Sequence, residues 1–273
     1  MKFVKMHGCG NDFIIIEEST PPSPSVIQKL CDRHFGIGAD QFFNLLPSAK
    51  ADIRMDIWNT DGSRAEMCGN GIRAVALYLK KYGLSGFSNT AKENLKNRTD
   101  YSIETLAGVQ TVSIKTGKEE QVTVNMGEPK IDLNPKTLTV DSQSFFFYQA
   151  SIGNPHAVLF QEDQSFSLIP KNIGSSIENH SFFPNRTNVE FVNIVSPTEI
   201  EVTVWERGAG LTLACGSGAC AAMAVTHLIK KGASKIKVQL PGGVLECSWE
   251  GIGHPLWMTG PAQEVFKGEI AID

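Results

Sequence analysis

The chain has 273 residues, enough at roughly 150 residues per domain for one large domain or two of ordinary size. Lysine and arginine number 25 and aspartate and glutamate 29, giving a net charge of −4 and an isoelectric point near 5.9; neither nucleic acid nor an anionic membrane is the expected partner. Apolar residues make up 41% and charged residues 20%, and no apolar run approaches the roughly 18 residues of a membrane span, so a folded soluble chain is expected.

In chain order, the opening MKFVKMHGCGNDFIIIEE holds one short apolar run, Phe13 to Ile16, followed by two glutamates. It reads as a strand, not as a secretory signal. The polar stretch Ser19 to Ser25 reads as a surface loop or short helix, and IRMDIW at 53 to 58 alternates with the period of a half-buried strand. A turn then leads to Cys68-Gly69-Asn70-Gly71 and a helix that runs through two lysines to Gly83, a residue suited to a left-handed stop.

Ser85 to Asp100 is a second polar loop or short helix. Strands follow at YSIETL, VQTVSIK and QVTVNM, and the polar Lys115 to Gln121 reads as a hinge between lobes. Beyond it FFFYQA, HAVLF, NVEFVNIV and IEVTVW are strands, Cys215-Gly216-Ser217-Gly218 opens a second helix ending near Gly232, and KIKVQL, VLECSW and PLWM are strands again.

The chain therefore repeats itself. Cys68 and Cys215 are 147 residues apart, and the same offset carries Ile53 onto Ile200, Trp58 onto Trp205 and Asn59 onto Glu206. Two pseudo-symmetric α+β lobes are expected, each a mostly antiparallel mixed sheet wrapped around a central helix, with limits 1–117 and 118–262. Glycines serve tight turns, and a single cysteine beside one is commonly a small buried hydrophobe; turn geometry alone asks for no thiol there, twice. The tryptophans read as packing residues.

A thiol in the first turn of a helix lies at the positive end of the dipole, which lowers its pKa. The first backbone N–H groups beside it suit a carboxylate. Two such thiols on either side of the carbon next to a carboxylate define a reaction: one removes the α-proton, the helix N–H groups hold the developing charge, and the other returns a proton to the opposite face. The remaining cysteines, Cys9, Cys31, Cys220 and Cys247, read as ordinary core thiols, reduced in a cytoplasm.

At this point the chain resembles the diaminopimelate epimerases, cofactor-independent enzymes that interconvert LL- and meso-diaminopimelate on the route to lysine and peptidoglycan. The resemblance rests on MHGCGNDF at 6 to 13, RHFGIGADQ at 33 to 41, NTDGSRAEMCGNG at 59 to 71, GNPHAV at 153 to 158, NVEFV at 188 to 192, ERGAGLTLACGSGACA at 206 to 221 and MTGPA at 258 to 262. It implies that Cys68 and Cys215 are the acid-base pair. Gly69, Asn70, Gly216 and Ser217 would hold the reacting carboxylate, and Glu206 would take the α-ammonium group and, with His156, tune the thiols. Asn11, Gln41, Asn59, Asn154, Asn188 and Arg207 would read the rest of the substrate. No cofactor or metal is implied, a homodimer is plausible, and residues 263–273 would return to the first lobe. Leu211 stands where glutamate is frequent, Ser217 where threonine is common, and Cys9 where leucine is usual.

Rival readings are a proline or hydroxyproline racemase, in which histidine commonly follows the first Cys-Gly where Asn70 stands here, and a dual enzyme that also racemises glutamate. A thiol redox protein lacks its Cys-x-x-Cys, a zinc site lacks closely spaced ligands, and a non-enzymatic binding pair leaves the duplicated cysteines unexplained.

Overall fold

The computed structural model describes residues 1–84, 95–117 and 120–272. The chain packs as two units, Met1–Val124 with Gly260–Asp273, and Asn125–Thr259. The first carries β1 (Lys2–Gly8), β2 (Asn11–Ile16), α1 (Pro24–Cys31), β3 (Gln41–Leu46), β4 (Ile53–Asn59), β5 (Arg64–Ala65), α2 (Gly69–Tyr82), β6 (Asp100–Thr105), β7 (Gly108–Lys115) and β8 (Gln121–Asn125). The second carries β9 (Lys130–Ile131), β10 (Lys136–Val140), β11 (Gln143–Ser151), β12 (Pro155–Phe160), α3 (Pro170–Glu178), β13 (Asn188–Ser196), β14 (Glu199–Glu206), β15 (Gly210–Thr212), α4 (Gly216–Ile229), β16 (Lys235–Leu240), β17 (Gly243–Ser248) and β18 (Trp257–Pro261). The last strand, β19 (Gln263–Glu269), pairs antiparallel with β1.

Strand pairing repeats in order and sense. In the first unit β1–β2 is antiparallel, β2–β3 parallel, β3–β4 antiparallel, β4–β6 parallel and β6–β7 antiparallel. In the second, β11–β12, β12–β13, β13–β14, β14–β16 and β16–β17 follow the same senses. This is the two-lobed α+β architecture, and each lobe wraps its sheet on one central helix. α2 lies against β1, β2, β7 and β19, and α4 against β11 to β14, β16 and β17.

Burial explains the sequence patterns. Phe13, Ile14, Ile15 and Ile16 of β2 are all fully buried because both faces of the strand are covered. Ile14 and Ile16 join Phe42, Trp58, Ile27 and Leu30 of α1 in one cluster. The matching cluster of the second unit contains Ala157, Leu159, Val189, Phe191 and Ile177 of α3. Each such aliphatic or aromatic side chain stabilises the fold by about 1.5–3 kcal/mol when buried. Strand alternation then turns Phe13 and Phe43, or His156 and Glu190, to the opposite face.

Several expectations change. The unit limits fall at Val124/Asn125 and Thr259/Gly260, where 117/118 and 262/263 were expected. Lys115 pairs with Gln121 across the β7–β8 hairpin, so this stretch closes a hairpin and is not a hinge between lobes; its residues 118–119 lie outside the described residues. Residues 85–94 of the expected polar loop also lie outside them. Gly83 has the positive φ expected of a glycine stop (67°), although with ψ −147° and not the left-handed helical value; at the end of α4 the positive φ falls on Lys231 (57°). Gly232 is instead close-packed, since a Cβ there would come within 2.9 Å of Ile236.

Candidate active site

Cys68 and Cys215 are the N-caps of α2 and α4, both with extended backbones (φ −143° and −118°). Each sulfur takes the place of the usual hydroxyl or carboxylate cap. Gly71 N–H donates to Cys68 Sγ at 3.3 Å, and Gly218 N–H to Cys215 Sγ at 3.4 Å. The thiols thus sit where the first-turn N–H groups have no carbonyl partner within the helix and the dipole is positive.

In the first unit Cys68 Sγ donates to Asn11 Oδ1 at 3.8 Å, which also accepts from Asn70 Nδ2 at 3.3 Å. Arg73, wholly buried on α2, donates to Asn70 Oδ1 at 2.8 Å, and Asn11 Nδ2 donates to Asp40 Oδ2 at 2.9 Å. Asn59, at the end of β4, accepts from Gln41 Nε2 at 3.1 Å and donates to Ser63 at 3.1 Å. Gln41 Oε1 is buried with no hydrogen-bond partner among the described residues. The structure therefore joins Asn11, Asn70 and Cys68 in one cluster and Gln41 with Asn59 in another; Gly69 opens α2 next to the thiol.

In the second unit Ser217 Oγ lies 3.6 Å from Cys215 Sγ and accepts from Asn154 Nδ2 at 3.2 Å. Asn154 Oδ1 bonds His156 Nε2 at 2.9 Å, and His156 Nδ1 bonds Glu190 Oε1 at 2.7 Å. His156 thus reaches the thiol through Asn154 and Ser217. Glu206 accepts from the Thr212 hydroxyl at 2.6 Å. Asn188 uses both ends of its amide internally, accepting from Arg207 N–H and donating to the Pro155 carbonyl, each at 2.9 Å, so it holds the Glu206–Arg207 corner. Arg207 and Asn154 line a cleft of about 690 Å³ together with Pro155 and Arg186. Gly216 is the first residue of α4.

Burial pushes the Cys215 thiol well above its ordinary pKa, the charges of Glu206 and Glu190 add to this, and the Ser217 hydroxyl and Gly218 N–H act the other way. At Cys215 the direction is therefore opposite to the lowering expected from the helix start alone, because burial and the two carboxylates outweigh the Ser217 and Gly218 hydrogen bonds. Cys9 is buried in the left-handed turn before β2 (φ 54°), and burial raises its pKa against the pull of the Arg73 guanidinium. Leu211 is 43% exposed.

Three buried residues that build these clusters were not picked out from the sequence. Arg73 fixes Asn70. Glu178 accepts from Trp205 Nε1 and Gly208 N–H, both at 2.8 Å, and so anchors the corner after β14. Glu190 holds His156. Only Glu190 left a trace in the sequence, as a carboxylate in the apolar run NVEFV.

The fold is shared with solved structures. A probable proline racemase from Agrobacterium radiobacter K84 matches with a TM-score of 0.74 over 100% of this chain and 93% of that chain, at 15% identity, a likeness of fold alone. A family model described as Diaminopimelate epimerase matches residues 3–131 and 148–265. A relative from Desulfitobacterium hafniense named Diaminopimelate epimerase is 44% identical, covering 100% of this chain and 99% of its own length. Another of that name, from Desulforudis audaxviator, is 42% identical over 98% of this chain and 99% of its own. With two matching lobes and a cysteine at each helix start, the chain is an isomerase of the epimerase class. It belongs to the diaminopimelate epimerase family.

Proposed function

We propose that this chain interconverts LL- and meso-diaminopimelate by inverting one α-carbon, with Cys68 and Cys215 as the acid-base pair and without a cofactor. The observation that supports this reading is that each cysteine caps an equivalent helix in an equivalent lobe. The chemistry requires both sulfurs to reach one carbon. One thiolate takes the α-proton and becomes a thiol, and the electron pair of the broken C–H bond moves into the carboxylate. First-turn N–H groups beside Gly69, Asn70, Gly216 and Ser217 hold that enolate charge. The opposite thiol then gives its proton to the other face and is left as thiolate, so the reverse reaction finds its catalyst ready.

Glu206 takes the α-ammonium group. The carbonyl oxygen of Gln41, without a partner among the described residues, suits a further substrate N–H, and Arg207, on the cleft of the second unit, suits the distal carboxylate. Among the described residues no helix is long and apolar enough to cross a membrane, and Cys9, Cys31, Cys215 and Cys247 are free thiols. We place the enzyme in the cytoplasm, where thiols stay reduced. A homodimer is the assembly the family resemblance implies, and light scattering would give about twice 29.8 kDa.

The substrate is tested by incubating the reduced protein separately with LL-diaminopimelate, L-glutamate, L-proline and trans-4-hydroxy-L-proline and separating the isomers by chiral chromatography. Diaminopimelate alone is expected to give a second isomer. Faster inversion of any of the other three would assign the chain a different substrate.

A further inference from the structure

The duplication breaks directly behind the second thiol. In the parallel pair β2–β3, Phe13 lies opposite Gln41, and in the parallel pair β12–β13, His156 lies opposite Asn188. Two residues further along β3 and β13 stand Phe43 and Glu190, related by the same 147-residue offset as the cysteines. Both fill the space beneath the second glycine of the helix start. A Cβ on Gly71 would come within 2.4 Å of the Phe43 ring, and one on Gly218 within 2.8 Å of Glu190 Oε1.

In the first unit this space holds a stacked aromatic pair, Phe13 and Phe43, with ring centroids 4.7 Å apart. In the second it holds a hydrogen-bonded pair, His156 and Glu190, both with side chains at 0% exposure. Glu190 Oε2 has no partner among the described residues. A carboxyl group desolvated in this way is costly, and the other lobe shows that the fold accepts phenylalanine in its place.

We propose that Glu190 is a positioning residue for the reaction: its carboxylate under the first turn of α4 occupies the positive end of that helix and so keeps Cys215 the protonated member of the thiol pair, while its bond to His156 fixes Asn154 against Ser217. This rests on the two-thiol reading above. A two-base inversion needs one thiolate and one thiol at the start of each turnover, and a duplicated strand order by itself gives no reason for the proton to choose. An anion behind one sulfur and an aromatic ring behind the other bias that choice, alongside Glu206, whose counterpart in the first unit is Asn59, since like charges at one helix start disfavour each other. The ionisable groups acting on Cys215 are Glu206 of β14 and Glu190 of β13, with His156 of β12 bonded to the latter; the first turn of α4 contributes no acid.

The test is the pH dependence of iodoacetamide alkylation at Cys215 and Cys68, read by peptide mass spectrometry on wild type and Glu190→Gln, with no amino-acid substrate present. Glu190→Gln is expected to move the Cys215 midpoint down by about one pH unit and leave that of Cys68 in place. In the epimerase assay the limb of the kcat/KM profile that reports Cys215 moves in the same direction, with kcat falling more than KM changes. An unmoved or raised Cys215 midpoint would overturn the proposal. Should Glu190→Gln unfold, the double variant His156→Phe with Glu190→Phe, which copies the other lobe, gives the same readout. Because alkylation needs no turnover, a protein that inverts no diaminopimelate would refute the functional reading without deciding this one.

Discussion

A sulfur at the N-cap is a poor choice for stability. Serine, threonine, aspartate and asparagine cap helices better, so the proposed proton transfer would account for two cysteines at equivalent helix starts, and the hydrogen bonds from Gly71 and Gly218 show that each does the structural task. Serine variants separate the two roles, because a hydroxyl caps well and yet does not ionise near neutral pH. Cys68→Ser and Cys215→Ser are each expected to stay within about 1 kcal/mol of wild type in urea unfolding while losing on the order of 10²-fold or more in epimerisation rate. Near-normal turnover in either variant would show that its sulfur neither gives nor takes the proton. Not every polar residue near the thiols is open to substrate: the amide of Asn188 is taken up at both ends by the backbone of Arg207 and Pro155, whereas Gln41 keeps a buried carbonyl oxygen without a partner among the described residues.

At the scale of elements, the central helices and most strands were legible because their burial is periodic and their repeat is visible. α1 and α3 were not. α3 reads PKNIGSSIE, in which Ile173 and Ile177 give a narrow apolar side and Gly174 lowers helix propensity; that glycine is explained only by Trp205, whose ring a Cβ would meet at 2.5 Å. The supposed hinge at Lys115 to Gln121 was polar because it is a hairpin end. The thiol cluster of each unit was legible where motifs carried it, as at Cys68, Asn70, Ser217 and Cys215. Arg73, Glu178 and Glu190 were hidden, since Pro261, Trp205 and His156, the partners that lock them in place, lie 188, 27 and 34 residues away and only the fold brings them together. The close fit of helix to sheet gives a direct prediction: Gly71→Ala places a methyl 2.4 Å from Phe43 and is expected to cost about 1–3 kcal/mol by overpacking. A thermal midpoint equal to wild type would mean that this contact relaxes freely.

At the scale of the molecule, the first unit is tied together by ions as well as by strands. Asp12 accepts from Arg33 and pairs with Lys5, joining β1 and β2 to the loop before β3. Burial alone would raise its pKa, but the hydrogen bonds and charges of Arg33 and Lys5 prevail and hold it at about 2. Since the folded value lies below the unfolded one, this group contributes stability above about pH 4 and loses it as pH falls toward about 2. Urea unfolding between pH 5 and 2 is expected to show a loss of about 1–2 kcal/mol from this group, discounted for solvent screening, and Asp12→Asn should lack that part of the slope; an identical slope in the variant would remove Asp12 from the account. The proposed function requires two duplicated helix starts each to supply a thiol to one carbon. Its most direct test is proton exchange by NMR: LL-diaminopimelate with reduced enzyme in D₂O, beside Cys68→Ser and Cys215→Ser. The account predicts that the meso isomer forms with solvent deuterium at the inverted carbon and that inversion is lost in both variants; meso product without deuterium, or inversion persisting in either variant, would contradict it.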